Sequence, residues 1–440
     1  MRAKWLAYVL MAMLPTGCGT WFGESDAPPL PGERMSVLQH QRTISADPQA
    51  VVEPIVLPPA IINTDWPQAG GNAANAMHNL RAGQIDRPAW QVNVGTGTAS
   101  SRPEMPSPVV AAGLVFTVDT TNVASAFDAG NGKRIWRVDL TTDEDEDDDV
   151  LQGGIAYDGG RVFFTTGFGK VIALDAANGK SVWRRNVGVP MHAPPTAAGG
   201  RVFVITVENQ LRGLNASDGG DAWPPHQALA EVARLLGGAS PAVDGGIVVA
   251  PFSSGELVAV RGDNGRSLWA ESLAPSRRTD EISALAQIRA RPVIDGGRVY
   301  AISAGGILAA FDMRTGQRLW DRDIGGLQTP WIAGRQLYQI ANDGQLLCVS
   351  IDTGRIAWVA SLPTFADEKA RRDPILWSGP VMAESRLLIA GSDGSLLTIS
   401  PYDGKIVDRR ALGVRVTVAP VVAGGTIYLL DDRGNLSAYR

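Results

Sequence analysis

The sequence predicts an all-β protein: an eight-bladed β-propeller of four-stranded antiparallel blades, the last closed by an N-terminal strand. Three observations carry that reading. A block running from a Pro to a Trp slot recurs with a constant length of 28 residues, as from Pro108 to Trp136. The connections between blocks vary instead, from 10 residues (Trp320 to Pro330) to 23 (Trp269 to Pro292). Finally, the last block lacks its fourth strand, while an unclaimed strand precedes the first block.

The N-terminus comes before any of this. Arg2 and Lys4 make a short basic start, and Trp5 to Leu14 is an apolar run too short to span a bilayer. Those proportions predict a secretory signal over residues 1–17. The run ends in Leu14-Pro15-Thr16-Gly17-Cys18, which resembles the lipobox of bacterial lipoproteins, where the Cys is acylated and becomes the mature N-terminus. Pro15 stands where that pattern has Leu, so an ordinary signal peptide with an incidental Cys is the alternative. Gly19 follows, and in Gram-negative lipoproteins the lack of Asp there implies passage to the outer membrane. Residues 18–62 are rich in Pro, with Pro28, Pro29, Pro31, Pro48, Pro54, Pro58 and Pro59. They read as an extended spacer between a lipid and a folded domain spanning 63–440.

The repeat phrase is Ala126-x-Asp128-x3-Gly132-x3-Trp136, then Ala173-x-Asp175-x3-Gly179-x3-Trp183. Degenerate copies end at Trp223, Trp269, Trp320 and Trp358, and a seventh has Asp408 in the Trp slot. Pro108, Pro195, Pro241, Pro292, Pro330 and Pro380 open the copies, with Ile155 in that place in the second. Within a copy, short β-branched or aromatic runs alternate with Gly-Gly, Asp-Gly or Thr-Gly turns. Four-stranded units of this size cannot each bury two faces alone, and radial packing solves that while leaving few exposed edges. An eighth copy begins at Pro420 and stops at Arg440 after three strands. Trp90 lies 46 residues before Trp136, in the Trp slot, so its strand is expected to complete that blade.

The register also places Cys348. Ten residues before a Trp slot stand Ala126, Ala173, Gly213, Ala259, Ala310 and Thr398, and Ala438 holds the same slot in the eighth copy, so Cys348 is expected to be a small buried hydrophobe. The seven Trp residues at 90, 136, 183, 223, 269, 320 and 358 recur once per unit, which predicts blade docking rather than ligand binding.

The formal net charge of −5, with no basic stripe, excludes a nucleic-acid binder. Four scattered His residues give no ligand spacing, so no metal site is expected. Three segments stand out. Leu229, Val232, Ala233 and Leu236 have the spacing of one apolar helical face, which either docks a partner or caps the propeller's own rim. Asp143 to Asp149 is a run of seven acids without the spacing or Gly of a calcium loop, and reads as a solvated loop. Arg277, Arg278, Arg289 and Arg291 form a basic group that either pairs with an acidic partner or lies solvated on the rim.

The A-x-D-x3-G-x3-W phrase resembles the repeat of the pyrroloquinoline-quinone (PQQ) propeller superfamily, over residues 90 to 440. That superfamily holds both quinoprotein dehydrogenases and scaffolds. The dehydrogenases carry adjacent cysteines over the quinone; with Cys18 assigned to lipid, only Cys348 remains, so no cofactor is expected. The lipobox, the spacer, the eight blades and Trp66-Pro67-Gln68-x-Gly70-Gly71 together resemble the BamB family, lipoproteins of the outer-membrane β-barrel assembly machinery. That resemblance implies a non-enzymatic, monomeric propeller on the periplasmic face of the outer membrane, bound to BamA's periplasmic domains and beside other assembly lipoproteins. It implies partner contacts at Arg234, Leu235 and Leu236 and at Gln287, Ile288 and Arg289. Gln287 and Arg289 stand where better-known members have acidic residues. The alternative is a propeller module for another envelope partner.

Overall fold

The computed structural model describes residues 44–50, 54–100, 104–142, 145, 153–229, 237–274 and 286–440. They form eight four-stranded antiparallel blades of a propeller plus one two-stranded hairpin, Phe365–Asp367 with Arg372–Pro374, and no helix. Blades 1 to 7 run in order at 109–139, 154–186, 196–227, 242–272, 293–322, 331–361 and 377–411. Blade 8 joins Val421–Ala423, Thr426–Leu430 and Asn435–Tyr439 to Trp90–Asn93. Trp90 lies opposite Ala438 and Asn93 opposite Asn435, so the two chain ends share one sheet.

The Pro slot marks where each blade begins. Pro195, Pro241 and Pro292 directly precede the strands Thr196–Ala198, Ala242–Asp244 and Val293–Asp295, where the missing N–H costs no ladder bond. Blade 7 departs from this: its first strand, Trp377–Ala383, starts earlier and takes Pro380 into a break of register between Ser378 and Val381. The first three strands of a blade are covered on both faces by neighbouring blades. In blade 1, Val123–Asp128 is buried almost throughout, whereas in the outer strand Arg134–Asp139 only Trp136 is buried.

Each of those Trp residues links two blades. The indole N–H of Trp90 donates to the carbonyl of Ala129 in the next blade, and Trp136 donates to Ala176 at 2.8 Å. Trp183 reaches Ala216, Trp223 reaches Gly262, Trp269 reaches Met313, Trp320 reaches Ile351 and Trp358 reaches Pro401. Every acceptor lies in the turn between the third and fourth strands of the following blade. The Gly of that turn lies under the indole: a Cβ added at Gly132 or Gly179 would stand 2.8 Å from Trp90 or Trp136. Within its own blade the Trp pairs with the small-residue slot, Ala126 with Trp136 and Cys348 with Trp358. A Cβ on Gly213 would come within 2.4 Å of Trp223, so the slot is small because the indole lies over it.

The missing Trp at Asp408 follows from the same geometry. Asp408 sits opposite Thr398 on the outer strand of blade 7 and faces blade 8. Blade 8 has no turn between its third and fourth strands, because they come from opposite chain ends. A Trp there would have neither its Gly nor its carbonyl. Arg410 of blade 7 instead donates to the Asp86 carbonyl at 2.8 Å, just ahead of the Trp90–Asn93 strand.

The segment expected to be a spacer up to residue 62 is partly docked. Asp47 exchanges hydrogen bonds with Ile356, and Ile44, Ile55 and Leu57 pack against buried blade residues. From residue 63 the chain then makes a complete circuit of the ring. Asn63 bonds Val422 and Gly424 of blade 8, and Trp66 bridges Val110 of blade 1. Pro67 accepts from Tyr157 of blade 2, and the Gln68 side chain exchanges two bonds with Ala197 of blade 3. Ala73 accepts from Val243 of blade 4 and Ala74 from Ile294 of blade 5. Trp331 of blade 6 donates to the His78 carbonyl, Leu80 bridges blade 7, and Gly83 returns to blade 8.

In blades 1 to 5 the donor is the residue two places after the Pro slot. The innermost strand of a blade has one unpaired edge facing the axis, and this belt satisfies it. His78 also hydrogen-bonds Asp295 at 3.2 Å.

Two outcomes are expected. Gly179→Ala, which drives a Cβ into Trp136 at a φ of +73°, should cost about 1–3 kcal/mol in urea unfolding. Gly159→Ala, with open space around it, should cost less. The Asp295 hydrogen bond, opposed by burial, raises the His78 pKa above 6.5. A raised folded value means the contact stabilises fully below pH 6.5 and is lost as pH rises through the folded pKa. Ring-proton NMR titration should show that elevation, and Asp295→Asn should abolish it.

Candidate functional site

The joints between blades carry most of the residues singled out from sequence. Cys18, Arg234, Leu235 and Leu236 lie outside the described residues, as do Arg277, Arg278, Val232 and Ala233. Ahead of the expected helical face, of which only Leu229 is described, His226–Gln227 is extended and forms the fourth strand of blade 3 against Gln210 and Leu211. Trp223 precedes that strand rather than lying in it. Leu229 is 67% exposed, with its N–H on the Glu256 carboxylate at 2.7 Å.

The second group is placed differently from expectation. Gln287 and Ile288 are buried, Ile288 among Leu257, Leu273 and Phe311. Its branched apolar side chain fills the core between blades 4 and 5. Arg289 turns toward the propeller axis and pairs with Glu104. Glu104 enters blade 1 and Arg289 enters blade 5, so this pair crosses between opposite sides of the ring. No spacing within one repeat could have announced it.

The acidic run is not wholly solvated. Asp145 meets the Lys170 ammonium at 2.8 Å and accepts from Thr142, with both ionic side chains almost inaccessible. Burial acts against ionisation, yet the bonds from Lys170 and Thr142 hold Asp145 below the usual carboxylate range.

Along the axis lies a cavity of about 710 Å³. The connections entering all eight blades line it, including Glu104, Gly153, Pro194, Gly238, Arg291 and Thr329, and Ala69 of the belt contributes to its wall. Arg291 donates from its backbone N–H and one Nη to the Thr329 hydroxyl, at 3.2 and 3.4 Å. Its Nε is buried with no hydrogen-bond partner among the described residues. Desolvation, with Arg289 nearby, pushes the Arg291 pKa down to about 10. Arg415, also lining the cavity, pairs with Asp432 at 3.3 Å.

Cys348 is fully buried opposite Trp358, and burial pushes its thiol up to about 12. Among the described residues no three His, Cys, Asp or Glu side chains gather as a metal cluster, and no helix is long and apolar enough to cross a membrane.

Comparison with known proteins gives a consistent result. The family model for the outer membrane protein assembly factor BamB matches residues 120–360. The assembly factor BamB of Yersinia pestis is 27% identical over 355 residues, covering 80% of this chain and 88% of that one. The Escherichia coli K12 protein of the same name is 26% identical, covering 79% and 87%. The crystal structure of BamB from Moraxella catarrhalis superposes with a TM-score of 0.65 at 20% identity, over 79% of this chain and 99% of that one. A europium-containing methanol dehydrogenase shares the fold at a TM-score of 0.63 and 16% identity, covering 83% and 89%.

With a thiol this buried, Ellman's reagent at pH 8 should leave Cys348 untouched in folded chain carrying Cys18→Ser, and should titrate one thiol after denaturation.

Proposed function

The chain belongs to the family of the outer membrane protein assembly factor BamB, and on that premise we propose that it is a non-catalytic scaffold of outer-membrane β-barrel assembly. In this reading the propeller stands on the periplasmic face of the outer membrane, anchored through acylated Cys18. Its partner is the periplasmic part of the barrel component BamA, alongside the other lipoproteins of the machinery.

The observation that carries the proposal is the extent of the match. Coverage of 87–88% of the curated relatives takes in the ring and its joints, not one blade repeat that any propeller would share. Non-catalytic action fits the cysteine chemistry: Cys18 and Cys348 are the only two in the chain, and Cys348 is held under Trp358 in the core. The dehydrogenase likeness, at 16% identity, speaks for the fold alone.

A closed ring of eight mutually buttressed blades changes shape little, so binding through its joints would hold a flexible partner in one orientation. Leu229 is an exposed leucine at the edge of the joint between blades 3 and 4. Arg234, Leu235 and Leu236 lie further along the same joint. The outer strand of blade 7, Ile406–Ala411, is exposed along most of its length and offers an edge for strand addition.

The test is co-purification from detergent-solubilised outer membranes. BamA should be recovered with the wild-type chain. Leu235→Asp with Leu236→Asp should reduce that recovery at least tenfold while leaving the thermal transition unchanged. A clean preparation without any barrel component would refute the proposal.

A further inference from the structure

We propose that the axial cavity is a binding site for a carboxylate carried on a small apolar body, with Arg291 as the group that receives it. The inference stands apart from the scaffold reading and uses none of its steps. The belt of residues 63–83 lines the inner edges of the innermost strands, and Ala69 reaches the wall of the cavity. Ligands would therefore enter from the side of the joints. Its volume of about 710 Å³ falls within the range of small-molecule sites, about 300–1,000 Å³.

The charge balance points to the ligand's chemistry. Three guanidinium groups line the cavity, and two are already matched: Arg289 by Glu104, and Arg415 by Asp432. Arg291 has a single neutral hydroxyl, that of Thr329, and a buried Nε with no acceptor among the described residues. Arg291 is partly buried, and a cation shielded from water at its Nε with no counter-charge among the described residues is a cost that a fold has no reason to retain unless something else uses the charge. The planar fork of a guanidinium fits the two oxygens of a carboxylate. One unmatched positive charge suits a monoanion better than a phosphate dianion. Around it Met105, Leu327, Ile375 and Trp377 line the cavity with apolar surface, which suits an aliphatic or aromatic group beside the carboxylate.

The test is calorimetric titration of the full chain with acetyl-Ala-Leu-Leu as the free acid, its C-terminal amide, acetate and inorganic phosphate. The free acid should bind, and the amide should bind at least tenfold more weakly. Acetate and phosphate should each bind more weakly than the tripeptide acid. Arg291→Met should lose at least tenfold in affinity for the acid, yet melt at or above the wild-type temperature without ligand, since it removes an unmatched buried charge. Arg291→Lys keeps the charge but not the fork, and should bind at least threefold more weakly than wild type. The proposal is overturned if the acid does not bind, if acid and amide bind alike, or if either Arg291 variant binds as wild type. Tighter phosphate binding would refute the carboxylate, and equal acetate binding would refute the apolar body. A methionine variant melting well below wild type would show that the charge serves the fold.

Discussion

The structure depends on one repeated contact, an indole laid across the last turn of the next blade. It joins apolar burial to a hydrogen bond from the indole nitrogen, so each of blades 1 to 6 both lends a Trp and supplies a turn. Two sequence features follow from it directly. The turn needs Gly, because a Cβ would stand 2.6–2.8 Å from the ring, and the slot opposite the Trp needs a small side chain. A contact that runs from blade to blade must end where the chain ends. The run of Trp residues stops at Asp408, before the one blade assembled from both termini.

Where a feature repeats, it is legible in the sequence; where it occurs once, it is not. The constant Pro-to-Trp block and the strand at Trp90 revealed eight blades and their closure, because every copy reports the same packing constraint. The belt escaped notice because its contacts, one per blade, come from a segment with no period of its own. Trp66-Pro67-Gln68-x-Gly70-Gly71, within the span assigned to the folded domain, was the available clue: a large aromatic beside a tight turn stands there ahead of every blade. The site residues suffered more. Ile288 and Gln287 are apolar or amide residues in a joint, and nothing local distinguishes a side chain turned to the core from one turned outward. Arg289 stands among basic neighbours, a group that suits either an acidic partner or a solvated rim, whereas it reaches across the axis to Glu104, 185 positions earlier. Pairings of that span are set by the ring as a whole.

Belt and ring together divide the molecule's surfaces. The belt supplies the hydrogen-bond acceptors that the innermost strand edges require, and in doing so lies across one end of the axis. The joints, variable in length and rich in exposed or charged side chains, are concentrated at the other. The scaffold reading draws on the joints for a macromolecular partner, while the cavity among them, with an unmatched guanidinium, has room for a small one. The two need not compete, since the outer loops and the axial wall are different surfaces.

Closure of the ring by Trp90–Asn93 is the point on which everything else rests, and native-state hydrogen exchange tests it most directly. If that strand is integral, freeing it opens the ring, and the amides it buries should exchange only through global unfolding. The expected result is that protected amides of Trp90–Asn93 and Asn435–Tyr439 exchange with the same free energy as those of Val123–Asp128 in blade 1. Exchange of the N-terminal strand at a free energy several kcal/mol lower, with blade 1 unaffected, would show a frayed end on an open ring and contradict the closure.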